Sequence, residues 1–107
     1  MDASVHRLSP AEQQAYAEQG WCVPRYRLEA EYVRSLQQAL DDLIRDNPGV
    51  RPEKLVSAHI EGDNREGVRG SRRFLELAMH APIVDLVQDL IGPDIVLWGC
   101  HVFCKPP

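Results

Sequence analysis

Ile95-Val96-Leu97-Trp98-Gly99-Cys100-His101-Val102-Phe103-Cys104 is the stretch on which the fold turns. Nearly every position in it is apolar. Alternation along a strand puts Val96, Trp98, Cys100, Val102 and Cys104 on one face, and Ile95, Leu97, His101, Phe103 and Lys105 on the other. Both faces ask for cover, which is the pattern of a central strand. Left unpaired, such a strand is an aggregation liability. Only Pro106-Pro107 follows Lys105, and prolines have no N–H to donate.

Working outward, few other segments read as extended. Trp21-Cys22-Val23 makes a short strand at residues 21–23, stopped by Pro24. Leu55-Val56 and His59-Ile60 offer a further short extended piece. One long strand over residues 95–105 and one or two short ones are too few for an independent sheet with two buried faces. The expectation is therefore a single partial domain over residues 1–107 that stops in the middle of its fold.

The rest of the pattern is helical. Ser9-Pro10-Ala11-Glu12 combines a capping serine, a proline at the first helical position and a capping-box glutamate. It predicts a helix over 10–19, ended by Gly20. Tyr32, Val33, Leu36, Leu40, Leu43 and Ile44 recur at three-to-four spacing and predict a helix over 29–46, stopped by Asn47-Pro48-Gly49. Ser71 opens a helix over 71–80 with Phe74, Leu77 and Ala78 inward. Pro82 opens another over 82–91, closed by Gly92-Pro93. The span from Glu61 to Gly70, with five charges and three glycines, reads as an exposed loop.

Composition narrows the class. The chain has 107 residues, 44% hydrophobic and 26% charged, which are values of a folded domain. Twelve basic residues against sixteen acidic ones give a net charge of −4. That balance argues against general nucleic-acid binding. No apolar run approaches the ~20 residues that span a bilayer. The start, Met1-Asp2-Ala3-Ser4-Val5-His6-Arg7, lacks the pattern of a secretory leader. Cys22, Cys100 and Cys104 are then expected as reduced thiols in the cytoplasm.

The run Leu90-Ile91-Gly92-Pro93-Asp94 through Lys105-Pro106-Pro107 resembles the segment before the iron site in the phytanoyl-CoA dioxygenase family. Leu8-Ser9-Pro10, Gly20-Trp21-Cys22-Val23-Pro24 and Phe74-Leu75-Glu76-Leu77 are similar to family features too, so the likeness covers the chain from about Leu8. The resemblance implies an iron(II)- and 2-oxoglutarate-dependent oxygenase on a double-stranded β-helix, a jelly roll flanked by helices. The fold class expected is α+β, with the N-terminal helices and first core strand of an incomplete barrel. Such enzymes hydroxylate, or in some relatives halogenate, an unactivated carbon of a small-molecule substrate. They hold iron with two histidines and a carboxylate. The family's His-x-Asp would follow Lys-Pro-Pro, and the sequence ends before it. No iron ligand is carried over, no metal site is expected, and the chain is expected to be inactive by itself. Lys105 matches a family lysine that contacts 2-oxoglutarate. His59 lies in a region near the active-site mouth of family members and is a candidate substrate contact.

Other candidates have plainer readings. His59 and His101 beside apolar neighbours read as ordinary core or surface histidines rather than ligands. Cys100 and Cys104 share a strand face but lie about 13 Å apart at the usual rise, too far for one zinc ion with Zn–S bonds of about 2.3 Å. Arg65, Arg69, Arg72 and Arg73 form a basic cluster that a phosphate or CoA would suit, or a solvated loop and helix start. Two functions of different class follow: part of an oxygenase, or a small helical interaction module that lends its last strand to a partner sheet. The exposed strand also offers a route to self-association.

Overall fold

The computed structural model describes residues 7–105. Met1–His6, read for a leader, and Pro106-Pro107, read as a stiff strand exit, lie outside the described residues. Among the described residues the fold is α+β. In chain order it has α1 (Pro10–Gln19), α2 (Ala30–Asp46), β1 (Gly62–Asp63), β2 (Arg69–Gly70), α3 (Arg72–Ala78) and α4 (Ala81–Ile91), with a 3-10 turn at Pro52–Lys54. None of these helices is long and apolar enough to cross a membrane. The chain forms two units. One comprises residues up to Leu28 with Met79–Val96, the other Glu29–Ala78 with the residues from Leu97 on.

The first unit is built on α1 and α4, which pack together. Ser9 Oγ accepts the Glu12 N–H at 3.1 Å, and the Glu12 carboxylate accepts the Ser9 N–H at 2.7 Å. Gly20 ends α1 at φ 84°, a left-handed position that glycine takes at no steric cost. The second Glu12 oxygen accepts the Arg25 N–H at 2.5 Å and draws the segment after α1 back to the helix start. These donors, Ser9 first, hold the Glu12 carboxyl below its ordinary pKa. On α4, Ile83, Leu86, Val87 and Leu90 share one apolar face, as their spacing requires. The Asp89 side chain is 7% exposed, accepts the Leu8 N–H at 2.8 Å and pairs with Arg7 at 3.1 Å. The expected strand at residues 21–23 does not form. Trp21 and Val23 stand out in solvent, because among the described residues of this unit no neighbouring strand offers them a ladder.

The second unit holds the main core: Ala39, Leu43, Leu55, Ala58, Val68 and Phe74, with Cys100 and Val102 packed against it. α2 supplies Ala39 and Leu43 from its apolar stripe, and α3 supplies Phe74. Arg73 N–H bonds to Ser71 Oγ at 3.3 Å, so Ser71 caps α3. The expected exposed loop between Glu61 and Gly70 is a tied hairpin. β1 and β2 pair antiparallel, Gly62 with Gly70 and Asp63 with Arg69. Asn64 Oδ1 accepts the N–H groups of Glu66 and Val68, both at 3.0 Å. Its short polar side chain thus builds the turn that the charge run concealed, and Val68 becomes fully buried beneath it.

The expected long strand over residues 95–105 differs as well. Among the described residues only Val102 makes a β-bridge, to Leu55. Their N–H and C=O groups are exchanged at 2.9 and 3.3 Å. Beyond that pair the two chains fall out of step, for a reason given by Ser57.

Candidate functional site

Between its bonds to Leu55 and Ala58, the Leu97–Cys104 segment advances two residues, from Val102 to Cys100, while its neighbour advances three. The extra residue makes a β-bulge. Ser57 occupies it with φ 54°, the only non-glycine at positive φ among the described residues. Its backbone groups lose their ladder partners and must find others. His101 Nδ1 accepts the Ser57 N–H at 2.8 Å. Asn64 Nδ2 donates to the carbonyls of Val56 and Ser57, both at 3.2 Å. The Ser57 hydroxyl donates to Glu66 Oε1 at 3.4 Å. At the other end, the 3-10 turn takes the neighbour out of step again, and Cys104 N–H reaches Pro52 O at 3.0 Å. Regular pairing is therefore confined to one bridge.

This ladder settles which side of the segment is used. Cys100, Val102 and Cys104 turn their backbone groups toward Pro52–Ala58, and Cys100 and Val102 seat their side chains on the core. Burial pushes the Cys100 thiol above its ordinary pKa, so it stays protonated. The alternate residues Gly99, His101 and Phe103 turn their backbone N–H and C=O groups to the opposite edge, where no described residue bonds them. Phe103 is 69% exposed and Trp98 98%. The His101 and Phe103 rings meet edge to face, with centroids 6.1 Å apart.

His101 is thus a backbone acceptor. With Nδ1 accepting, the neutral ring carries its proton on Nε2. Replacing it with alanine orphans the N–H of a buried serine, which costs about 1–3 kcal/mol. His101→Ala is expected to lower the urea midpoint and to speed amide exchange at Ser57. An unchanged Ser57 exchange rate would remove His101 from this role.

The other candidates distribute as follows. Lys105 is exposed and has no ion pair among the described residues. His59 is half-buried, and its Nδ1 is buried without a hydrogen-bond partner. Among the described residues no group of three His, Cys, Asp or Glu side chains gathers where a metal ion would need them. The three cysteines are free thiols. The basic cluster is largely spent on carboxylates: Arg69 pairs with Asp63, Arg72 with Glu76 and Arg73 with Asp42. In the first unit an apolar groove of about 270 Å³ is lined by Leu8, Cys22, Tyr26, Leu86 and Leu90, among others.

Sequence reasoning did not find the bulge. Asn64-x-x-Gly67, an asparagine turn with glycine at φ 82°, is the local signal of the hairpin whose asparagine bonds the Ser57 carbonyl. Compared with family models, with curated proteins and with solved structures, the chain matches none of them.

Proposed function

We propose that these residues contribute the helical layer and first core strand of an iron(II)- and 2-oxoglutarate-dependent oxygenase of the phytanoyl-CoA dioxygenase type, built on a jelly roll. The observation that carries this reading is the half-covered state of Leu97–Cys104. One edge pairs with Pro52–Ala58 and one set of side chains sits on the core, while the opposite edge is open. Leu97, Trp98 and Phe103 are left to solvent. Burying a leucine or phenylalanine is worth about 1.5–3 kcal/mol each, so this surface is suited to further strands. The likeness at Gly92-Pro93-Asp94 and at Lys105-Pro106-Pro107 points to which kind of sheet would supply them.

In this reading Lys105 offers a compact cation to a carboxylate of 2-oxoglutarate, a task that an ammonium on a flexible stem performs as a point charge. His59 borders the path of a small-molecule substrate. No chemical step through the metal is assigned to the described residues. The reading includes a cytoplasmic location, supported by three free thiols.

Two measurements test it. The coding sequence beyond the Pro107 codon, read in all frames, should hold a His-x-Asp within the next stretch. A stop with no such remnant, and a stable complex of the chain with a different protein, would instead favour an interaction module. Supplied with iron(II), ascorbate and 2-oxoglutarate, the 107-residue chain should release no succinate above a blank. Succinate formation would show that these residues hold a working metal site and overturn the division of labour proposed here.

A further inference from the structure

We infer that the open edge of Leu97–Phe103 takes a second copy of the same segment, antiparallel about a two-fold axis, so that the isolated 107-residue chain is a dimer. The inference stands apart from the oxygenase reading: it concerns what this edge does when no further barrel strand lies on it.

Three observations carry it. The backbone groups of Gly99, His101 and Phe103 point away from Pro52–Ala58 and have no partner among the described residues. Exposed edges are usually guarded by charge, proline or a bulge. Among the described residues the bulge lies on the neighbour, at Ser57, and no Asp, Glu, Lys, Arg or Pro occurs from Leu97 to Cys104. Two copies therefore meet without like-charge repulsion.

The third observation selects a second copy as the occupant. A two-fold axis through the sheet keeps each copy's core-facing side chains on the same side, so facing residues must share a side of the strand. Centring the axis at Cys100 satisfies this and sets Leu97 opposite Phe103 of the other copy, twice over. These are exposed apolar side chains, at 42% and 69%. The same register sets His101 opposite Gly99, beside which each chain's own His101 ring already lies, 3.9 Å from where a Cβ would stand. Gly99, His101, Leu97 and Phe103 then all fall at hydrogen-bonded positions of the new ladder. The segment complements itself through its two Leu97–Phe103 pairs and its backbone pattern together.

The test is oligomeric state under reducing conditions, by sedimentation equilibrium on the wild-type chain and three variants, with circular dichroism confirming that each is folded. Wild type should be a dimer. Leu97→Lys should be monomeric, because two lysines then face phenylalanines, and Phe103→Glu should be monomeric for the corresponding reason. The double variant should dimerise again, since each introduced lysine would face an introduced glutamate of the other copy. A wild-type monomer, or a double variant no better than the singles, overturns the inference. Assembly into fibres or higher oligomers would also overturn it, since the two-fold pairing is closed. A monomeric wild type leaves the oxygenase reading standing, because that reading is tested by the downstream coding sequence.

Discussion

Gly70→Ala is expected to cost the Glu29–Ala78 unit more than about 3 kcal/mol, a loss at the upper end for a single methyl group. A Cβ at Gly70 would collide with the Ile60 carbonyl oxygen and come within 2.7 Å of the Ala58 carbonyl oxygen. Both obstacles are backbone, so no rotamer change relieves them. The Ala58 oxygen already accepts the Ser71 N–H at 2.8 Å, which pins it in place at the start of α3. Moving it would disturb the hairpin, the helix cap and the buried Ala58 together. Gly67→Ala is the control. Its φ is 82° and a Cβ there meets nothing within 4 Å, so only the left-handed backbone resists, at about 1–2 kcal/mol. Urea unfolding followed by circular dichroism should separate the two by midpoint. Equal midpoints would show that the Ala58–Ile60 backbone yields easily.

Asn47→Ala is expected to cost about 2–4 kcal/mol, because three backbone groups, one buried and two partly buried, lose their partners at once. Asn47 is 6% exposed. Its Nδ2 donates to Leu43 O at 2.8 Å and to Arg69 O at 2.9 Å, and its Oδ1 accepts the Arg69 N–H at 2.7 Å. One amide therefore closes the C-terminus of α2 and clamps β2 to it. Alanine fills none of these positions. Beyond the lower urea midpoint, the Arg69 amide should exchange faster with solvent, a change that simple loss of helix propensity at residue 47 would not produce. An unaltered Arg69 exchange rate would mean that another group replaces the clamp.

Both effects arise at residues whose sequence signal was read as something smaller. Asn47-Pro48-Gly49 reads as a helix stop, and it is one. What the neighbouring residues do not reveal is that the asparagine side chain turns toward residue 69, because that partner lies 22 positions away. Gly70 likewise reads as one of several glycines in a charged stretch. Its necessity comes from a chain crossing at Ala58–Ile60, which is a property of the hairpin's placement.

The helices were legible for a local reason. Ser9, Glu12 and Gly20 act within one or two turns of the residues they cap, and the stripe on α2 is set by the 3.6-residue repeat alone. The capping box and the left-handed glycine need nothing from elsewhere in the chain. The extended segments were less legible, since a strand exists only where another accepts its hydrogen bonds. Residues 21–23 have β-forming side chains and no ladder. Residues 97–104 have a ladder on one edge, broken on both sides of Val102 by the Ser57 bulge and the Pro52–Lys54 turn.

For the candidate site the division is similar. The uncharged run from Ile95 to Cys104 was legible in the sequence as a segment that needs cover, since its composition alone makes water a poor neighbour. The pairing of the basic cluster with Asp63, Glu76 and Asp42 was not, because an arginine's partner is chosen by distance in space. Nor was His101's role, which depends on an orphaned N–H created by a bulge 44 residues away.

By itself, then, the order of residues determined where helices begin and end and which segment is too apolar to stand alone, because capping and periodicity act over a few neighbouring positions. Only the tertiary structure decided which edge of that segment is used, which asparagine and histidine hold the backbone, and which glycine admits no side chain. Each of these is a contact between residues distant in the chain, and its energy exists only once the fold has brought them together.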